Sequence, residues 1–349
     1  MTPKFRIYDI LRPLGWLYGA AAAMRNLRYD SGRASSAVYP VPVISVGNIT
    51  AGGTGKTPHT EYLTDLLRHR MTTAILSRGF GRSTKGYILA DESATSRTIG
   101  DEPMQMHRRF PDVRLAVCEK RAQGIEQLIS TCNPQVILLD DAYQHRAVKP
   151  SLNILLVNYN RNILFDAMLP AGRLRESAAE RKRADIIIVT KCPQDLSAAQ
   201  MDELASALAV KPGQQVFFTA IEYGTLYPMT GAAATPAPNS PVLAVTGIAG
   251  PEPLVTQLRK EHNSVTLQAY PDHHRYSARN IRSITSAISQ LGPDAIAVTT
   301  EKDSARLLDM QLPSELSSRL YIMPVKPLFL RDQELFDNTI LNHIESFKQ

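Results

Sequence analysis

The chain has 349 residues, of which 44% are hydrophobic and 21% charged, and carries a formal net charge of +6. That composition belongs to a globular protein long enough for two domains and excludes a disordered, fibrous or disulfide-scaffolded chain. Cys118, Cys132 and Cys192 stand without metal-ligand spacing, which points to a reducing compartment.

The first stretch is basic. Lys4, Arg6, Arg12, Arg25, Arg28 and Arg33 face only Asp9 and Asp30 within residues 1–40. Ile7, Ile10, Leu14, Leu17, Ala21 and Met24 recur at steps of three and four, which predicts a helix over residues 5–28, kinked or split at Pro13. Its uncharged run, 13–24, is too short and too rich in Ala and Gly to span a bilayer. A weak apolar core argues against a signal peptide despite the alanines at 20–23. Two readings stand. The helix docks on the protein's own core, or it lies at a lipid surface with Trp16, Tyr18 and the flanking arginines.

A short β-branched strand at 43–46 then runs into a glycine-rich loop. Thr50, Ala51, Gly52, Gly53, Thr54, Gly55, Lys56 and Thr57 form a phosphate loop that opens a helix. Backbone N–H groups point inward where glycine removes the Cβ, and the helix N-terminus adds positive potential. Lys56 would reach the terminal phosphates and Thr57 would ligate Mg²⁺. The strict pattern asks for glycine where Thr50 stands. Pro58 falls in the first helical turn, which tolerates a missing N–H.

Continuous apolar runs follow at 73–76, 113–117, 136–140, 154–157, 186–190 and 216–219. Runs of this kind are buried on both faces of a parallel sheet. The expected fold class is α/β: a P-loop NTPase-type, mostly parallel sheet flanked by helices, with the nucleotide at the C-terminal strand ends. Pro, Ala and Gly dominate between 223 and 242, as in a connector. Further strands are expected at 242–246, 265–269, 295–299 and 320–325, with helices at 253–260, 278–291 and 331–347. The expected organisation is an N-terminal helix over 1–35, a nucleotide domain over 36–227, a linker over 228–241 and a smaller C-terminal α/β domain over 242–349.

Several segments could carry chemistry. The strand ending in Asp140 and Asp141 has a Walker B pattern, in which one carboxylate holds Mg²⁺ and the other assists. Asp101 either caps a helix or serves as the general base for an attacking hydroxyl. His273 and His274, beside Asp272, could orient a carboxylate across a cleft. Arg78, Arg121 and Arg175 leave strand ends or a loop, where guanidinium forks suit phosphate, or else they are surface charge. Glu176 could join the metal shell. Thr190-Lys191-Cys192-Pro193 lacks the Asn and Asp of a guanine-reading motif, so ATP is the expected nucleotide.

Taken in order, SVGNITAGGTGKTP, SRGFGR, GDEP, LLDDAYQH, PAGRLRE, VTGIA, PDHHRY and TEKDSARL carry a resemblance. The sequence resembles the tetraacyldisaccharide 4′-kinases, the lipid A 4′-kinases of Gram-negative bacteria, over most of its length. That family's loop also lacks the strict first glycine. Phe80 and Ala142 stand where the family pattern has Tyr and Gly or a similar small residue. The resemblance implies a kinase that moves the γ-phosphate of ATP to the 4′-hydroxyl of an acylated glucosamine disaccharide 1-phosphate. It implies an enzyme peripheral to the cytoplasmic face of the bacterial inner membrane, held there by the N-terminal helix, with no nucleic acid and no obligatory protein partner. It also implies Asp101 as catalytic base paired with His273, and Thr57, Asp140 and Glu176 as the Mg²⁺ shell with Asp141 beside them. Arg78, Arg121 and Arg175 are then substrate contacts. The rival readings are a P-loop kinase of another small sugar or cofactor precursor, and a nucleotide-switched chaperone or metal-delivery protein.

Overall fold

A computed structural model describes residues 10–230 and 236–347. Ile7, Lys4, Arg6 and Asp9 of the basic stretch, and residues 231–235 of the expected linker, lie outside the described residues.

Nine strands form the larger sheet. They are β1 (Val43–Gly47), β2 (Thr73–Ser77), β3 (Ile88–Leu89), β4 (Arg114–Val117), β5 (Val136–Asp140), β6 (Leu152–Asn158), β7 (Ile186–Thr190), β8 (Gln215–Tyr223) and β14 (Val325–Phe329). Their order is β14-β8-β7-β6-β1-β5-β2-β4-β3. The seven inner strands are parallel, and only the edges β3 and β14 run antiparallel to their neighbours. Burial explains the pattern. Ile44 and Val46 pack into one apolar layer while Val43 packs into another on the opposite face. A strand covered on both sides cannot alternate with polar residues.

The smaller sheet has the order β11-β10-β12-β13-β9, built from β9 (Tyr227–Pro228), β10 (Val242–Thr246), β11 (Val265–Ala269), β12 (Ile296–Thr300) and β13 (Leu320–Met323). The strand expected at 320–325 is thus two strands. Pro324 separates them, and residues 325–347 return to the large sheet. There Phe329, with Phe336, Ile340 and Ile344 of the final helix, joins the core containing Phe217. The small sheet is an insertion between β8 and β14.

Ile10 is helical and Leu11 a turn, so the expected helix is split just before Pro13, which falls in the first turn of helix α1 (Arg12–Asp30). Its buried residues are Gly15 and Asn26. A Cβ at Gly15 would come within 3.0 Å of the Met168 carbonyl oxygen, so the helix rests on the loop around Met168 by backbone approach. The apolar stripe points away: Trp16 is 73%, Leu17 68% and Met24 67% exposed. The stripe is therefore not docked on the protein's own core.

Helices α2 (Lys56–Arg68), α3 (Ser96–Ile99), α4 (Asp101–Arg109), α5 (Arg121–Cys132), α6 (Ala198–Ala207), α7 (Glu252–Glu261), α8 (Ala278–Gln290), α9 (Glu301–Leu307), α10 (Ser314–Ser317) and α11 (Gln333–Phe347), with a 3₁₀ helix at Ala178–Arg183, complete the described elements. Among them α2, α4 and α9 meet at one buried charge cluster. Arg109, the last residue of α4, donates to Glu61 of α2 and to Glu301 of α9, each at 2.9 Å. Two buried carboxylates share one guanidinium. Burial, with Glu301 beside it, pushes the Glu61 carboxyl up to about 8.

A folded-state pKa above the unfolded value means that the folded protein binds the proton more tightly. This contribution to stability is present in acid and is lost as pH rises from about 4.5 to about 8. Glu61→Gln removes the titrating group. The thermal midpoint of the wild type should therefore fall more steeply over that window than that of the variant, and parallel curves would contradict the assignment.

Candidate active site

The loop after β1 is held from several sides. Gly52 and Gly55 have φ of 104° and 88°, a region that residues with a Cβ rarely adopt. Asn48 Nδ2 donates to Thr54 Oγ1 at 2.6 Å, and Thr190 Oγ1 donates to the Thr54 carbonyl at 2.8 Å. His59 bridges the Gly55 carbonyl and Thr219 Oγ1. Burial pulls its pKa down to about 4, so it does this as a neutral ring. Thr50 forms an isolated bridge with Leu174, in extended backbone that needs no glycine. Ala51 N donates to the Arg173 carbonyl at 2.7 Å. The loop is thus tied to the PAGRLRE segment, and Lys56 and Thr57 begin α2 immediately beyond it.

The two acids at the end of β5 sit in different environments. Asp140 is 1% exposed. Its Oδ2 accepts from Ser77 Oγ at 3.0 Å, while its Oδ1 has no hydrogen-bond partner. Burial, then the nearby Glu102 and Asp141, raises its carboxyl to about 7. Asp141 has the positive φ of a tight turn, 49°. Burial opposes its charge, but Lys56 at 3.6 Å and Arg175 at 3.4 Å outweigh that and hold its carboxyl below the usual range.

Asp140 and Asp141 open into a cavity of about 530 Å³ that Arg78, Phe80, Glu102, His145 and Arg175 also line, closed on one side by Tyr18, Ala21, Ala22 and Arg25 of α1. Asp101 stands at the start of α4. Gly100 is the N-cap and the Asp101 side chain caps nothing. Its Oδ2 instead lies 3.3 Å from His273 Nδ1, so the acid of the large sheet's layer meets the imidazole carried by the small sheet. The Phe80 ring packs edge-on against His273, with centroids 5.5 Å apart.

Two expected site residues are elsewhere. Glu176 is fully buried, and its two oxygens are taken by Arg25, Asn26 and Arg183. It ties α1 to the loop and is not among the residues that line the cavity with Asp140. Arg121 is 2% exposed and donates to the carbonyls of Cys118 and Asp140. Burial lowers its pKa to about 10. Through these bonds it braces the ends of β4 and β5. Sequence reasoning missed His145 and Glu102, although both lie inside motifs it singled out. Tyr18 and Arg25 of α1 gave no signal of cavity-facing positions, because helical spacing reveals a stripe and not what it covers.

The residues that could hold a metal here include Asp140, through its unpartnered Oδ1, and Thr57 at the start of α2. No group of three or more His, Cys, Asp or Glu able to hold a metal occurs among the described residues. A phosphate-loop Mg²⁺ takes most of its ligands from phosphate oxygens and water, so it needs few protein donors.

The family model described as tetraacyldisaccharide-1-P 4′-kinase matches residues 7–345. A tetraacyldisaccharide 4′-kinase of Bacteroides thetaiotaomicron is 43% identical over 97% of this chain and 94% of its own length. One from Flavobacterium johnsoniae is 42% identical over 96% of this chain and 97% of its own. A crystal structure of "apo" form LpxK from Aquifex aeolicus in complex with ATP is 28% identical and matches with a TM-score of 0.77, covering 97% of this chain and all of that one. With a family model spanning nearly the whole chain and relatives of this identity, the protein belongs to the tetraacyldisaccharide-1-P 4′-kinase family.

Proposed function

We propose that this member of the family transfers the γ-phosphoryl group of ATP to the 4′-hydroxyl of an acylated glucosamine disaccharide 1-phosphate, with Asp101 as general base. The observation that carries the reading is the Asp101–His273 pair, assembled across two sheets beside the cavity of Asp140 and Asp141. Phosphoryl transfer needs in-line positioning and charge neutralisation more than covalent help. The amides of residues 50–57 and Lys56 neutralise and orient the triphosphate. Asp101 takes the proton of the attacking hydroxyl, and His273 holds the carboxylate in place. Asp141, kept ionised by Lys56 and Arg175, holds the lysine on the phosphate side. Thr57 and Asp140 would hold Mg²⁺, which supplies Lewis-acid neutralisation of the phosphate oxygens when bound. Arg78 and Arg175 bind anionic groups of the acceptor at the cavity wall. Closure of the small sheet on the large one would bring the two halves to working distance.

The exposed face of α1 favours an acylated acceptor over a soluble sugar. Trp16, Leu17, Met24 and Leu27 point outward beside the cavity wall formed by Tyr18, Ala21, Ala22 and Arg25. A helix with outward aromatics, aliphatics and arginines lies in the headgroup region of a bilayer. The Arg28 and Arg33 side chains suit the anionic cytoplasmic leaflet, which makes the protein peripheral on the inner face of the inner membrane. Among the described residues no helix is long and apolar enough to cross a membrane.

With ATP, Mg²⁺ and the lipid A disaccharide 1-phosphate precursor, the lipid should gain the mass of one phosphate. ATP hydrolysis without a phosphorylated lipid would overturn the reading. Asp101→Ala should lower turnover on the order of 10²–10⁴-fold and leave ATP binding nearly intact. Unchanged turnover would remove Asp101 from the mechanism. Deleting residues 1–28 should move the protein from sedimenting vesicles to the supernatant, whereas retention on the vesicles would place the membrane contact elsewhere.

A further inference from the structure

Helix α9 carries two basic side chains, one turn apart, that the reaction above leaves without a role. Lys302 Nζ lies 3.2 Å from His273 Nε2, 3.3 Å from Glu102 Oε1 and 3.5 Å from Asp272 Oδ1. The Arg306 side chain is 4% exposed. It donates to the His274 carbonyl at 2.9 Å, to the Gly247 carbonyl at 3.2 Å and to Asp303 Oδ1 at 2.8 Å. Its Nε is buried, has no hydrogen-bond partner, and stands 3.5 Å from Asp101 Oδ2. That is the oxygen faced by His273 Nδ1.

An ammonium group donates and never accepts. The short approach of Lys302 Nζ to His273 Nε2 is attractive only if Nε2 is the unprotonated nitrogen. The single ring proton then resides on Nδ1, the atom aimed at Asp101. The opposite tautomer sets an N–H against an ammonium on one side and a lone pair against a carboxylate on the other. Asp272 Oδ2 would favour a proton on Nε2, but it is 3.9 Å away, beyond hydrogen-bonding reach, and Asp272 pairs with Lys302.

We infer that Lys302 and Arg306 are positioning residues: Lys302 sets the tautomer of His273, and Arg306 fixes Asp101 together with the loop that presents His273. The inference rests on reading Asp101 as the base. His273 has a φ of 58°, a conformation a residue with a Cβ holds only when its surroundings enforce it. Arg306 brackets that residue through His274 and Gly247, and His273 N itself donates to the Gly247 carbonyl at 3.2 Å. Asp303 anchors the arginine. Fully buried, it accepts from Gly247 N at 3.0 Å, Thr300 Oγ1 at 2.8 Å and Tyr276 Oη at 3.1 Å. Because Asp303 already compensates the guanidinium, Arg306 orients Asp101 without locking it into a closed ion pair.

The test is the ring state of His273 in full-length protein labelled with ¹⁵N-histidine, its signals assigned by their loss in His273→Gln. At neutral pH the wild type and Lys302→Arg, which keeps a donor-only side chain, should both carry the proton on Nδ1 with Nε2 bare. In Lys302→Met, Nε2 should become protonated, and kcat should fall ~10-fold with little change in KM. A proton on Nε2 in the wild type, or an unchanged ring in Lys302→Met, overturns the inference. If Lys302→Met does not fold, the wild-type ring still decides. The ring state is read without turnover. An active Asp101→Ala enzyme would therefore sink the base assignment alone and leave the tautomer result standing.

Discussion

A carboxylate and an imidazole 3.3 Å apart join two sheets that share no strand pairing. The fold holds that contact at a fixed place relative to the phosphate loop. Helix α4 supplies the frame. Asp101 is its first residue and Arg109 its last. Arg109 reaches back to Glu61 on the helix that the phosphate loop opens, and across to Glu301, the first residue of α9. The helix that presents the acid is thus clamped at its far end to both the donor side and the small sheet. Buried charges are costly unless paired, so the cluster survives only when all three helices are in register. It reports their relative position more than it adds stability.

The two acids at the end of β5 illustrate how position divides labour between identical chemistries. Asp140, buried and facing other carboxylates, is pushed toward the neutral form, whereas Asp141, one residue on, is held anionic by Lys56 and Arg175. Environments that push two neighbouring pKa values apart separate their roles. Asp140 keeps one oxygen without a partner, whereas Asp141 pairs with Lys56 and Arg175. Helix α1 adds a different constraint. It touches the body through glycine and a buried Asn26–Glu176 contact, so its apolar residues stay outside while its other side walls the cavity.

Much of this was legible in the amino-acid order. Continuous β-branched runs and a glycine loop ending in Lys56-Thr57 specify a parallel sheet with a phosphate site, because each feature has a local physical cause. The Walker B strand was found to the residue. Asp101 reads from its own segment as either a cap or a base, and from the resemblance as a base; in the fold its side chain caps nothing and faces His273. What was not legible depends on long-range packing. Glu176 and Arg121 have the right residue type and spacing, yet burial spends both on neighbours. The return of β14 and α11 to the large sheet is invisible locally, since Pro324 interrupts what reads as one strand. Lys302 and Arg306, inside TEKDSARL, have no assigned role in the sequence until the fold brings His273 and Asp101 against them.

A double-mutant cycle on turnover tests the shared role of Asp101 and His273 most directly, using Asp101→Ala, His273→Ala and the double variant. If the two side chains act as one unit, the double variant should be about as impaired as Asp101→Ala alone, with strongly non-additive losses. Losses that simply add in free energy would show two independent residues and would contradict a catalytic pair assembled across the two sheets.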